Sequence, residues 1–162
     1  MKHVDVLLGG REDADMCLGV KVAGTPGAGP STGSGHGLDY EVCEGTITKL
    51  RDEFGFRCVG LTLRQGEFAD DNDVSAVYFD GSEMNRGPIV ALRNMVDRVG
   101  GGDAFAAGVI HGSLQGWDGG RTVRFGVAAS ALAHTIHGDF NLATAEEVES
   151  VAAGGGGGRV QR

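Results

Sequence analysis

The chain has 162 residues, enough for one domain with a hydrophobic core. Hydrophobic residues make up 41% of it, so its composition excludes a disordered polymer. The net charge of −8, with no basic run, excludes nucleic acid as the expected partner. Neither a membrane-spanning apolar run nor a signal-peptide pattern is found, and the three cysteines lack C-x-x-C spacing. We therefore expect a cytoplasmic protein with reduced thiols.

Strands and helices alternate in the first two thirds of the sequence. Short apolar runs predict strands, and apolar residues three or four positions apart predict helices. The low-complexity segment Gly24–Gly37 is expected to be a loop inserted in the domain. In chain order the predicted elements are a strand at Val4–Leu8, helices at Arg11–Leu18 and Asp39–Phe54, and strands at Cys58–Leu63, Val74–Phe79 and Ile89–Leu92.

The last third of the sequence is predicted to be helical. Helices are expected over Ala104–Leu114 and Thr122–Ile136, and Thr144 with Glu147 forms a capping box for a last short helix. Strands alternating with helices, followed by a helical run, predict an α/β fold with helices packed on a sheet. We expect one domain over residues 1–153 and a flexible glycine-rich tail over residues 154–162.

The segment Asp97–Gly108, which reads D-R-V-G-G-G-D-A-F-A-A-G, carries the most information about chemistry. Three glycines in a row leave their N–H groups uncovered, and a helix starting there would favour a bound anion. Asp103 would then lie beside that anion, where a carboxylate can accept a proton from a hydroxyl. An isolated G-G-G-D also fits an aspartate cap on a helix after a flexible loop.

The longer pattern resembles a known family signature. Asp97–Phe105 is similar to the second signature of the ribokinase-like (PfkB) carbohydrate kinases, Asp-Thr-x-Gly-Ala-Gly-Asp-x-Phe. Two departures from it, Arg98 for Thr and Gly101 for Ala, resemble the 2-keto-3-deoxygluconate kinase branch. Four further stretches also resemble that branch, namely Val4–Leu8 with Glu12–Ala14, Leu61–Arg64, Ala128–Asn141 and Gly158–Arg162.

The resemblance implies a fold and a set of site residues. The fold would be the C-terminal portion of a ribokinase-like three-layer α/β/α sandwich, because the matching pieces correspond to that half of such a kinase. In the family the Asn-x-x-Glu motif helps to organise Mg²⁺, and here Gly10 replaces its asparagine. The implied roles are general base for Asp103, anion hole for Gly100, Gly101 and Gly102, nucleotide contacts for Thr62, Arg64, Ala131 and His134, and metal contacts for Asp13 and Asp97.

The implied activity is ATP-dependent phosphorylation of 2-keto-3-deoxygluconate or a related sugar acid, with ATP, Mg²⁺ and a monovalent cation as cofactors. Two readings of another kind stay open, a non-catalytic nucleotide-binding remnant and one half of a split kinase with a separate N-terminal half. Self-association into a homo-oligomer that regains a site is a further alternative. Another sugar kinase of the same family, such as a fructokinase or a ribokinase, is the enzymatic alternative.

Overall fold

The computed structural model describes residues 1–20, 38–66 and 71–155, which form a sheet with helices on both faces. The predicted loop Gly24–Gly37 and most of the predicted tail lie outside the described residues. The strands are β1 (Val6–Gly10), β2 (Cys58–Gln65), β3 (Asn72–Phe79), β4 (Met84–Arg86) and β5 (Val90–Leu92). The helices are α1 (Arg11–Leu18), α2 (Tyr40–Phe54), α3 (Gly101–Leu114), α4 (Gly119–Ala133) and α5 (Ala145–Ser150), followed by a π-helical turn at Val151–Gly155.

The sheet has the order β1-β2-β3-β4, and β5 pairs with the other end of β3. Strands β1 and β2 are parallel, with Gly10 opposite Thr62, whereas β3 pairs antiparallel with β2, β4 and β5. Parallel strands are normally covered on both faces, and β2 follows this rule because its residues from Cys58 to Leu61 are all buried. Because β1 and β2 run in the same direction, both end at the same edge of the sheet, near Gly10 and Thr62. This edge is the carboxyl edge of the parallel pair.

Alternate residues of β2 pack into two separate cores, one on each face of the sheet. On one face, Val59 and Leu61 pack in a cluster with Ile47 and Leu50 of α2. On the other face, Cys58 lies in a cluster with Phe105 of α3 and with residues of α4 and β3. The result is a three-layer α/β/α arrangement, as the family resemblance implied.

Helices α3 and α4 form the layer that carries the glycine-rich segment. A Cβ added to Gly108 would lie only 2.7 Å from the α-carbon of Gly126, so the two helices approach closely where neither has a side chain. Phe105 packs against Gly60 of β2, because a Cβ added to Gly60 would lie only 3.3 Å from the ring of Phe105. These small residues let α3 lie close to both α4 and the sheet, which fixes its N-terminal end above the carboxyl edge of the sheet.

Most predicted elements are confirmed, with shifted ends. The helix Arg11–Leu18 is observed as predicted, Asp39 caps α2 by accepting from the N–H of Val42, and the Thr144 capping box is present. The prediction Thr122–Ile136 is displaced, because Asp118 accepts from the N–H of Arg121 and starts α4 at Gly119. Strand β4 was not predicted, since its three residues M-N-R contain no apolar run.

Candidate functional site

The site begins with the first turn of α3, which starts within the glycines rather than at Ala104. Gly100 is the N-cap residue and has φ 81°, a left-handed conformation that favours glycine. The N–H of Ala104 closes the first helical bond to the carbonyl of Gly100. Helices α2, α4 and α5 are capped by side chains, those of Asp39, Asp118 and Thr144, whereas Gly100 offers none. The first amides of α3 therefore remain able to donate to an anion.

A cleft of about 130 Å³ opens beside this turn. It lies between the carboxyl end of β2 and the N-terminal end of α3, the position where open α/β sheets commonly bind ligands. Its walls carry two guanidinium groups and the amide-rich start of α3, so it suits a polyanion. The lining residues are Thr62, Leu63, Arg64, Val74, Ser75, Arg98, Gly101, Gly102, Phe105, Val127, Ser130 and His134.

Five residues predicted for the site are among those that line the cleft: Thr62, Arg64, Gly101, Gly102 and His134. Thr62 is half-buried and donates its hydroxyl to the carbonyl of Gly9 at 3.3 Å, which ties β2 to the end of β1. Arg64 is exposed near the end of β2, opposite Val74. Its charge therefore reaches the cleft from the sheet, while Arg98 reaches it from the glycine-rich segment.

His134 closes the inner wall of the cleft. Its ring is buried, with 5% of the residue exposed, and Nδ1 lies 2.6 Å from the carbonyl oxygen of Ser130. That oxygen can only accept, so Nδ1 carries the proton and Nε2 of the neutral ring is left as an acceptor. Burial lowers the pKa of His134; the hydrogen bond to Ser130 opposes that shift, and the charges of Arg64 and Arg98 lower the pKa further.

Asp103 lies in the first turn of α3, three positions after the N-cap residue, and its side chain is exposed. Its carboxylate makes no hydrogen bond or ion pair with another residue in the described ranges 1–20, 38–66 and 71–155. The carboxylate is thus available to a ligand held at the N-terminal end of α3.

The other predicted residues are not among those that line the cleft; they are Gly100, Asp103, Asp13, Asp97 and Ala131. Asp13, in the first turn of α1, accepts from the N–H of Gly10, the N-cap residue of that helix, at 2.7 Å. Asp97 accepts from three backbone N–H groups, those of Gly138, Val99 and Arg98, which hold its pKa below the ordinary value. Ala131 is buried against Val74 and Leu92 in a core cluster.

Several cleft residues were not among the predicted ones. Ser75 and Val74 come from β3, and the antiparallel register that sets them opposite Leu63 and Arg64 cannot be read from local sequence. Ser130 lies one helical turn before His134, within the stretch Ala128–Asn141 that the resemblance implies for the adenine pocket, although it was not singled out as a contact. For Arg98, inside the glycine-rich signature, the sequence allows a contact with a phosphate or an acidic substrate, or a solvated surface position, and the structure places it in the cleft lining.

No group of three His, Cys, Asp or Glu side chains within the described residues is arranged to hold a metal ion. Asp13 accepts from a backbone amide through one carboxylate oxygen and Asp97 through both, and these two described residues alone do not build a metal cage. This does not conflict with Mg²⁺ bound mainly by nucleotide phosphates, because Mg²⁺ commonly takes only one or two protein carboxylates.

Across the described helices, none combines the length and apolarity needed to cross a bilayer.

Comparison with known proteins identifies the fold and the family. Residues 73–145 match the family described as pfkB family carbohydrate kinase. A 2-dehydro-3-deoxygalactonokinase of Haloferax volcanii is 38% identical over 111 residues, which make up 68% of this chain and 32% of that protein. The crystal structure of the 2-dehydro-3-deoxygluconokinase of Thermotoga maritima superposes with a TM-score of 0.79 and 34% identity, covering 94% of this chain and 42% of that one.

A third similar protein is a putative 2-keto-3-deoxygluconate kinase of Enterococcus faecalis, with a TM-score of 0.73 and 25% identity over 98% of this chain and 43% of that one. The fold is thus that of the ribokinase-like kinases. This chain belongs to the PfkB family of carbohydrate kinases. It spans less than half the length of these relatives.

Proposed function

We propose that this chain supplies the ATP-binding and phosphoryl-transfer half of a carbohydrate kinase. The observation that carries the proposal is the first turn of α3, where uncapped amides, the exposed carboxylate of Asp103 and a cleft with two arginines lie together. The relatives are sugar kinases by name, which agrees with a site built for a phosphorylated ligand. Phosphoryl transfer needs little from a protein beyond positioning and charge stabilisation, and these residues offer both.

The proposed reaction uses MgATP as a substrate. The amides of Gly101 and Gly102 and the guanidinium of Arg64 hold the phosphates, and Asp103 takes the proton of the sugar hydroxyl. The hydroxyl oxygen then bonds to the γ-phosphorus as the bond from that phosphorus to the β,γ-bridging oxygen breaks. The products are ADP and a phosphorylated sugar, with the transferred proton on Asp103 until solvent accepts it.

The adenosine end of ATP would lie toward α4. Thr62 and His134 are the cleft residues that we assign to nucleotide contact, whereas Ala131 supports this wall from within the core. We assign Asp13, at the junction of β1 and α1, to the metal side of the bound nucleotide. Its carboxylate keeps one oxygen beyond the one that binds Gly10, and no step of the reaction is assigned to it. A monovalent cation is an additional proposed cofactor, without assigned ligands.

The proposed sugar substrate is 2-keto-3-deoxygluconate or a related sugar acid, because the similar proteins carry the names of kinases for such compounds. A fructokinase or a ribokinase is the alternative within the family. The test is phosphate transfer from radiolabelled ATP to a panel of 2-keto-3-deoxygluconate, its galactonate epimer, fructose and ribose. Preference for the two sugar acids supports the assignment, and preference for fructose or ribose contradicts it.

A second candidate function is a nucleotide-binding module that needs another polypeptide for turnover. The described residues leave the outer edge of β1 without a partner strand, and Val4 and Val6 beside it are exposed. Ile110 and Leu114, one helical turn apart on α3, are exposed as well. Such an edge is suited to adding a strand from a separate N-terminal half or from a second copy of the chain. Sedimentation equilibrium of the purified chain separates a homo-oligomer from a monomer that requires a different partner.

A further inference from the structure

The glycine-rich segment, residues 96–102, is attached along its length to the turn that follows α4, residues 134–139. The carbonyl of His134 accepts from the N–H of Val96 at 2.9 Å and from the N–H of Asp97 at 3.4 Å. At the other end of the segment, a Cβ on Gly100 would come within 2.7 Å of the carbonyl oxygen of Asp139. The two stretches thus lie against each other although they are about forty residues apart in the chain.

Asp97 is the side chain that connects them. Its Oδ1 accepts from the N–H of Arg98 at 2.7 Å and from the N–H of Val99 at 3.1 Å, which fixes the start of the glycine-rich segment. Its Oδ2 accepts from the N–H of Gly138 at 3.0 Å, which fixes the segment to the turn after α4. One carboxylate therefore holds three backbone amides from two parts of the chain, an arrangement that neither an uncharged nor a shorter side chain can reproduce.

We propose that Asp97 is a positioning residue that sets the phosphate-binding amides of α3 by linking the glycine-rich segment to the turn after α4. The effect of this role on phosphate binding rests on the proposed function, because the amides that Asp97 positions are those assigned to the phosphates. It is an alternative to a metal-ligand role for Asp97. Both carboxylate oxygens accept from backbone donors, and three N–H groups use most of the acceptor sites that the carboxylate has.

Two variants of Asp97 keep an acceptor for the glycine-rich segment and remove the hydrogen bond to Gly138. Asp97→Asn keeps one acceptor oxygen for the glycine-rich segment but turns an amide N–H₂ group toward the N–H of Gly138. Asp97→Ser can accept from Arg98 or Val99 as a short cap, but it is too short to reach Gly138. The matched control is Asp80→Asn, because Asp80 likewise accepts from two backbone N–H groups, those of Ser82 and Glu83. It lies at the opposite end of β3 from Val74, which lines the cleft.

Hydrogen exchange followed by mass spectrometry tests the linkage without any nucleotide. In both Asp97 variants we expect the amides of residues 96–103 and 134–140 to exchange about tenfold faster or more, while strand β3 and the urea midpoint stay as in the wild type. Asp80→Asn should leave both regions unchanged. Wild-type exchange rates in either Asp97 variant, or faster exchange spread evenly over the whole chain, would overturn the proposal.

Two further measurements separate positioning from cation binding and from the proposed function. Adding Mg²⁺ or K⁺ should leave exchange in residues 96–103 of the wild type unchanged; slower exchange that Asp97→Asn abolishes would make Asp97 a cation ligand and overturn the proposal. Binding of metal-free tripolyphosphate should weaken about tenfold or more in Asp97→Asn, at every K⁺ concentration. Absence of tripolyphosphate binding to the wild type would contradict the proposed function, whereas the exchange result decides the role of Asp97 independently.

Discussion

The backbone of Gly101 lies directly against the imidazole of His134. A Cβ added at Gly101 would come within 2.7 Å of Nε2 and would also overlap Cε1, contacts that side chains essentially never make. The ring cannot easily turn away, because Nδ1 is bound to the carbonyl of Ser130. The first turn of α3 therefore reaches its position in the cleft only because residue 101 has no side chain.

This relationship predicts opposite effects of the same substitution at adjacent positions. Gly101→Ala should lower the free energy of unfolding by about 1–3 kcal/mol, because the new methyl group forces the buried ring or the helix to shift. Gly102→Ala has nothing within 4 Å of its added Cβ and should leave stability unchanged or raise it by about 0.5–1 kcal/mol through better helix propensity. Urea denaturation measures both, and equal effects of the two variants would contradict the packing described here.

Asp103 is predicted to act on the chemical step rather than on folding or nucleotide binding. Asp103→Asn keeps the size of the side chain and removes its ability to take a proton, so the rate of phosphate transfer should fall by about 10²–10⁴-fold. The side chain is exposed and has no partner in the described part of the chain, so the urea midpoint should not change. Steady-state assays with the preferred sugar measure the rate. An Asn variant as fast as the wild type would exclude Asp103 as the base.

The lowered pKa of His134 predicts how stability depends on pH. A histidine whose pKa is depressed in the folded state binds fewer protons there than in the unfolded chain, so acid favours unfolding. The stability that depends on a neutral His134 is fully present above about pH 6.5, the pKa of histidine in the unfolded chain. It is lost as the pH falls from there toward the lower pKa of His134 in the folded protein. Urea midpoints at pH 7.5 and pH 5.5 should therefore differ more for the wild type than for His134→Gln. His3→Gln, at an exposed site, is the control and should behave like the wild type.

The cysteines should differ sharply in reactivity. Burial raises the pKa of Cys43 to about 12, so its thiol stays protonated and inaccessible in the folded protein. Cys17 is exposed, and only thiolates react with disulfide reagents. At pH 8, a chromogenic disulfide should therefore label Cys17 in the native state and Cys43 only after denaturation. Labelling of native Cys43 as fast as Cys17 would mean that α2 does not pack on the sheet as described.

Local sequence was sufficient for most of the elements, though not for β4, and for a helix start at the glycine run. The spacing of apolar residues predicted α2, which buries one face, and continuous apolar runs predicted β2 and β3, which are buried along most of their length. The run of glycines before Asp103 indicated an anion-binding helix start, since glycine leaves backbone amides uncovered whatever the rest of the fold is. The helix begins at Gly101 instead of Ala104 because Gly100 adopts the left-handed conformation and ends the loop there.

What the sequence could not supply is pairing over long distances. The link from Asp97 to Gly138 and the contact of Gly101 with His134 join segments more than thirty residues apart, and no local pattern encodes such distances. The same limit explains Ala131. The resemblance implied a nucleotide contact for Ala131, but its side chain packs on Val74 and Leu92, whereas Ser130 and His134 of the same helix line the cleft.

Calorimetric titration of the purified chain with MgATP tests the central claim most directly. We predict saturable binding that Gly101→Ala abolishes and Asp103→Asn retains, because the first variant displaces the amides that hold the phosphates and the second leaves them in place. Asp80→Asn serves as the folded control, and circular dichroism of every variant confirms that the chain is intact. Absence of binding to the folded wild-type chain would contradict the assignment of the α3 cleft as a nucleotide site.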